Sequence, residues 1–139
     1  ISIILKTLTM KNHLIYFALF FTMVSCSTSE LAMGSNSIVG KWNWIQSSGG
    51  ITGATTTPSS TNKSRSIEIS RLEVKTYENG NLIATELYSI QTKESIFGVK
   101  QQMLVYLSGK PSQSFTVEGA KLFLSDECYD CYQSEYVKE

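Results

Sequence analysis

The sequence predicts an all-β domain, a small antiparallel up-and-down barrel of eight strands. Three observations predict it. From Ile38 onward, apolar and polar side chains alternate in short runs, and almost nothing keeps the 3.6-residue period of a helix. The runs are separated by tight-turn signals, such as Asn79-Gly80 and the Ser-Gly-Lys-Pro-Ser stretch at 108–112, so neighbouring runs pair as hairpins. Long crossovers are missing, which favours an up-and-down barrel over a sandwich.

The elements follow in order. "IVGKWNWIQS" from Ile38 is the first strand, with Trp42 and Trp44 on one face. A Gly/Thr/Ser-rich stretch at 49–64 follows, loosened by Gly49, Gly50 and Gly53 and limited by Pro58. Loops of this length without structure are usually functional or disordered. Lying between the first and second strands, it should cross or flank one barrel mouth. "RSIEIS" puts Ile67 and Ile69 on one face, and "LEVKTY" does the same with Leu72 and Val74. These two read as separate strands or as one long bent ribbon. "ENGN" at 78–81 is a type I′ hairpin turn, since Asn-Gly tolerates positive φ, and "LIATELYSI" is the return strand. "TKESIFG" at 92–98 is the one place that suits a helical turn. "QQMLVYL", "SFTV", "KLFLS" and "CYQSEYVK" complete the set.

An eight-stranded barrel is just wide enough to be filled by side chains or to hold one small ligand. Val74, Ala84 and Val105 are inward candidates of moderate size, and Thr85 and Ser89 would leave polar points at a mouth. Against a cavity stands the aromatic load of Trp42, Trp44, Tyr77, Tyr88, Tyr106, Phe115, Phe123 and Tyr136. Trp42 and Trp44 have two readings: barrel floor and core packing, or the aromatic wall of a ligand pocket.

The N-terminal region reads differently. "MKNHLIYFALFFTMVSC" has a positive start at Lys11, an apolar run from Leu14 to Val24, small Ser25 and then Cys26. That is the layout of a secretory signal peptide, and the run is too short for a membrane-spanning helix. The nine residues before Met10, the expected start, carry no recognisable role. Residues 1–25 are therefore expected to be upstream residues and signal peptide, 26–37 a polar tether, and 38–139 the barrel domain. "MVSC" resembles the lipobox of bacterial lipoproteins, which implies acylation at Cys26 and an anchor of two or more acyl chains.

Charge and residue counts narrow the function classes. Twelve basic and twelve acidic residues balance, and no basic face points to nucleic acid. Cleavage before Cys26 would remove Lys6 and Lys11 and leave ten basic residues against twelve acidic ones, a net charge of −2. It would also remove His13, the only histidine. A mature chain without histidine has no Ser-His or Cys-His pair and no His-ligated metal. The expectation is a protein that is not an enzyme, with no catalytic residues, no metal and no cofactor. Cys128 and Cys131 form a CxxC motif, open to three readings: a disulfide favoured by an oxidising compartment, free thiols, or metal or redox chemistry.

Gly40-Lys41-Trp42 on the first strand resembles the Gly-x-Trp signature of lipocalins, whose tryptophan closes the barrel floor. The run from Trp42 through "TTTP", then "YENG", "LFLSDEC" and the final "YVK", resembles small lipocalin-like lipoproteins of Bacteroidetes over Ile38 to Lys138. The resemblance implies an eight-stranded barrel, export and a lipid anchor. The basic residue stacked over the floor tryptophan would be Lys138, where arginine is usual. The functional expectation is a lipid-anchored envelope protein, in the periplasm or at the cell surface, binding a small apolar ligand. The alternative is a structural or protein-interaction lipoprotein with a filled barrel.

Overall fold

The computed structural model describes residues 37–139. Met10, Cys26 and the expected signal peptide and tether lie outside the described residues. Nine strands and one helical turn follow in the order β1 (Gly40–Gly49), β2 (Ala54–Thr56), α1 (Pro58–Thr61), β3 (Arg65–Ile69), β4 (Glu73–Glu78), β5 (Asn81–Glu94), β6 (Lys100–Tyr106), β7 (Gln113–Glu118), β8 (Lys121–Asp126) and β9 (Tyr132–Lys138). Every neighbouring pair is antiparallel, in the order β2-β1-β3-β4-β5-β6-β7-β8-β9. β9 pairs back onto β1, from Trp42↔Lys138 to Gly49↔Tyr132, and closes the sheet. The result is an eight-stranded up-and-down barrel, with β2 as an added strand.

The turns explain the topology. Asn79 and Gly80 both have positive φ, 51° and 78°, as a type I′ turn requires. The β3–β4 boundary is a true turn: the Ser70 N–H donates to Glu73 O at 2.9 Å. β5 is long because it serves two partners. Its Asn81–Leu87 half pairs with β4, and its Tyr88–Glu94 half pairs with β6.

Alternation supplies the core. Ile38, Trp42, Ile67, Ile69, Val74, Tyr88, Leu104, Tyr106, Leu122 and Leu124 form one buried cluster, with Phe115, Val117 and Tyr136 packed against it. Trp42, Leu104 and Leu122 are fully buried, so the barrel is filled with side chains at this level. Trp42 closes the floor. Its indole N–H donates to Ile38 O at 2.8 Å, and the Lys138 ammonium lies 5.4 Å from its ring centroid. Gly40 leaves space for that lysine, because a Cβ there would sit 3.3 Å from Lys138 Cε. The expected lysine–tryptophan stack is present.

Several expectations change. The stretch at 49–64 is ordered: β2 extends the sheet along β1, at Ser47–Gly49, beyond the four residues that pair with β3. The helical turn is α1, not 92–98. Thr57 and Ser60 form a capping box around Pro58, and Asn62 ends the turn in the left-handed region. Residues 92–98 instead carry the end of β5 and a tight turn closed by Gly98 N–H to Ser95 O at 2.8 Å. Ala84 pairs with Thr76 on the inward face, but Val105 lies between the core residues Leu104 and Tyr106 and faces outward. Thr85 and Ser89 are exposed on the outer face of β5, opposite Lys75 and Val105, not at a mouth. Tyr77 and Phe123 also point outward by alternation, which lightens the aromatic load inside.

Candidate functional site

The inward groups change character along the barrel. At the floor they are apolar. At the other end, where β1 reaches Ser47, they become polar. A β-bulge causes the change on β1: register shifts between Trp44 and Gln46, so Ser47 shares the inward face with Trp44 although it lies three positions further on. The Trp44 indole N–H donates to Ser47 Oγ at 2.8 Å, and Ser47 Oγ lies 2.7 Å from Ser134 Oγ on β9. On β7 and β8 the inward row ends in Gln113 and Asp126, which are cross-strand partners. The Tyr106 hydroxyl donates to Gln113 Oε1, and Gln113 Nε2 donates to Asp126 Oδ1 at 2.7 Å.

Ser47, Ser134, Gln113 and Asp126 line a cavity of about 420 Å³, together with Thr56, Thr61, Arg65 and Tyr132. Thr56 comes from β2 and Thr61 from α1, so the ordered 49–64 stretch flanks this mouth, as the sequence predicts. It is tied down: Thr56 Oγ1 donates to Ser47 O at 3.3 Å, and Thr61 Oγ1 to Thr57 O at 2.8 Å. Arg65 is held twice. Its Nε donates to Glu78 Oε2 at 3.0 Å, and its guanidinium carbon lies 5.3 Å from the Trp44 ring centroid. Lys63 shares Glu78 at 2.9 Å, and these two cations hold the Glu78 carboxyl below the usual carboxylate range, Lys63 first. Burial pushes Tyr136, which sits below the mouth, up to about 12.

The rim beside Asp126 is braced by covalent structure. Cys128 and Cys131 are joined in a disulfide in the β8–β9 connection, with Cα atoms 5.6 Å apart. Cys131 O accepts the Gly50 N–H at 3.3 Å, which binds this connection to the start of the 49–64 stretch.

The two tryptophans separate in role. Trp42 is wholly buried at the floor and lines no part of this cavity. Trp44 supports it from beneath, through Ser47 and Arg65. The cavity also differs in chemistry from the apolar one expected: its lining is serine, threonine, glutamine, tyrosine, arginine and aspartate. A second depression, about 250 Å³, lies on the outer wall beside Lys41, Glu68 and Tyr77. Among the described residues no group of three His, Cys, Asp or Glu side chains is arranged to hold a metal, and no helix is long and apolar enough to cross a membrane.

Sequence reasoning missed Arg65, Gln113, Asp126, Ser134 and Ser47 as site residues. One signal was present: the alternating row Leu122, Leu124, Asp126 ends with a charge at an inward position. Ser47 had none, because the bulge shifts the phase. Compared with known proteins, the chain matches no family model, no curated protein and no solved structure.

Proposed function

We propose that this is a lipid-anchored envelope protein of lipocalin-like type that holds a small molecule at the polar mouth of its barrel. The observation that carries the binding role is the 420 Å³ cavity, within the usual size range for small-molecule sites. It is bounded by an ordered flap and by side chains already fixed through hydrogen bonds. Preformed groups of this kind bind without a large ordering cost. The filled floor argues against a long apolar ligand threading the barrel. The membrane part of the reading rests on the apolar run ending in "MVSC" at Cys26.

Two experiments test the two halves. Labelled fatty acid should be incorporated by the wild type and not by Cys26→Ser; a wild type that takes up no label removes the anchor. For binding, the protein is purified from its native membrane, denatured, and the released small molecules are identified by mass spectrometry. A compound released by the wild type and absent from Ser134→Trp, which fills the mouth, is expected. Identical release from both proteins would contradict a site at the mouth.

A second reading keeps one specific observation. Leu87 lies beside Leu107 on the outer wall, joined by the Leu107 N–H to Leu87 O bond at 2.9 Å, and both side chains are more than half exposed. Such a pair suits a protein partner, in line with a filled barrel that acts through its surface.

A further inference from the structure

We propose that the mouth cavity takes a small zwitterion, an amino acid or a short peptide with free termini, its carboxylate on Arg65 and its ammonium on Asp126. This inference rests on the reading of the mouth as the binding site and adds the chemistry of the ligand.

The positive wall is β3. Arg65 is pinned through Nε by Glu78 and laid against Trp44, and its terminal nitrogens make no other hydrogen bond among the described residues. A planar guanidinium held by a ring, with its fork free, is suited to bidentate carboxylate recognition. Lys63 and Arg65 together outweigh Glu78 by one charge. The negative wall is β8. Asp126 accepts from Gln113 at 2.7 Å and from the Tyr132 N–H at the long distance of 3.4 Å. A carboxylate has about four acceptor positions, so Asp126 retains capacity for an ammonium.

The cavity thus carries one unbalanced charge of each sign on different walls. A purely anionic or cationic ligand would meet a like charge, and an uncharged one would leave both groups unanswered. β3, β1, β9 and β8 are successive neighbours in the closed sheet, so Arg65 and Asp126 face one cavity from different strands. Ser47, Ser134 and Thr56 lie among the lining residues and offer hydroxyls to the amides of a peptide. The lining has little apolar surface for large side chains, so small residues fit best.

The test is calorimetric titration of the full chain in detergent micelles at neutral pH. The probes are alanine, Ala-Ala and Ala-Ala-Ala, each also N-acetylated or as the C-terminal amide. Saturable binding is expected for at least one unblocked probe, weakened about tenfold or more by either block, the loss of one charge-assisted pair. Arg65→Gln should no longer distinguish that probe from its amide, and Asp126→Asn should no longer distinguish it from the acetylated form. These matched losses separate charge recognition from misfolding, which would abolish every distinction together. Binding that neither block weakens overturns the proposal. If all three unblocked probes fail while another compound is displaced by Ser134→Trp, the zwitterion inference falls and the mouth reading stands. If no compound depends on the mouth, both fall.

Discussion

Gly49 has no room for a methyl group. Its φ is 147°, and a Cβ would overlap the Cys131 carbonyl oxygen across the β1–β9 seam. Gly49→Ala should therefore destabilise the domain by about 2 kcal/mol or more, since both backbone strain and a steric shift are required. The midpoint of urea unfolding measures this, and an unchanged midpoint would mean the seam yields freely. Trp42 makes the larger contribution. It is fully buried with its indole N–H bonded to Ile38, so Trp42→Ala should cost roughly 3–5 kcal/mol, while Lys138→Ala should cost under about 1 kcal/mol. At this scale the sequence was informative where a residue has one dominant use. Gly40, Trp42 and Lys138 could be read together as the floor. Arg65 could not, because its importance comes from Trp44 and Glu78, which the fold brings to it.

The β5–β6 turn is held to the rest of the barrel by one carboxylate. Glu127 accepts the Ile96 N–H at 2.9 Å and the Ser95 hydroxyl at 3.2 Å. Burial alone would raise its pKa, but the Ile96 amide with the Ser114 and Ser95 hydroxyls outweighs this and holds it below 4.5. A depressed carboxyl stabilises the fold above its unfolded pKa, and the gain is lost as pH falls through the lowered native value. Amide exchange at Ile96, corrected for intrinsic rate, should therefore accelerate as the pH drops below 4.5, and Glu127→Gln should abolish that step. The Cys128–Cys131 bond belongs to the same scale. It closes a very small loop, so chain entropy contributes little and reduction should lower stability only modestly. Two reactive thiols in the unfolded, unreduced domain would show that the bond is absent. The strands were legible from alternation and turn chemistry. The small elements were not: β2 and α1 arise in a run of Gly, Thr and Ser because β1 offers an unpaired edge beyond β3, and local periodicity does not report a neighbour's edge.

On the whole-molecule scale, closure divides the barrel into an apolar, filled floor and a polar, partly open mouth. Buried tyrosines link the two. Tyr136 is pushed up to about 12 by burial, and burial also raises Tyr88 and Tyr106. Raised acids of this kind stabilise the fold below their unfolded pKa of 10, and that contribution is lost as the pH rises from 10 through the native values. Thermal unfolding should show a falling midpoint above pH 10, less steep in Tyr136→Phe. The closed barrel could be inferred from strand number and short connections. Which end would be polar could not, since the barrel's stagger and the β1 bulge decide which side chains share a level. The most direct measurement of the central claim is a map of backbone amide shifts in the ¹⁵N-labelled protein on addition of the compound that its native form releases. The account predicts saturable shifts at Ser47, Thr56, Arg65, Gln113, Asp126 and Ser134, with Trp42 and Leu104 unmoved. Shifts concentrated at the floor, or on the outer wall around Leu87 and Leu107, would contradict it.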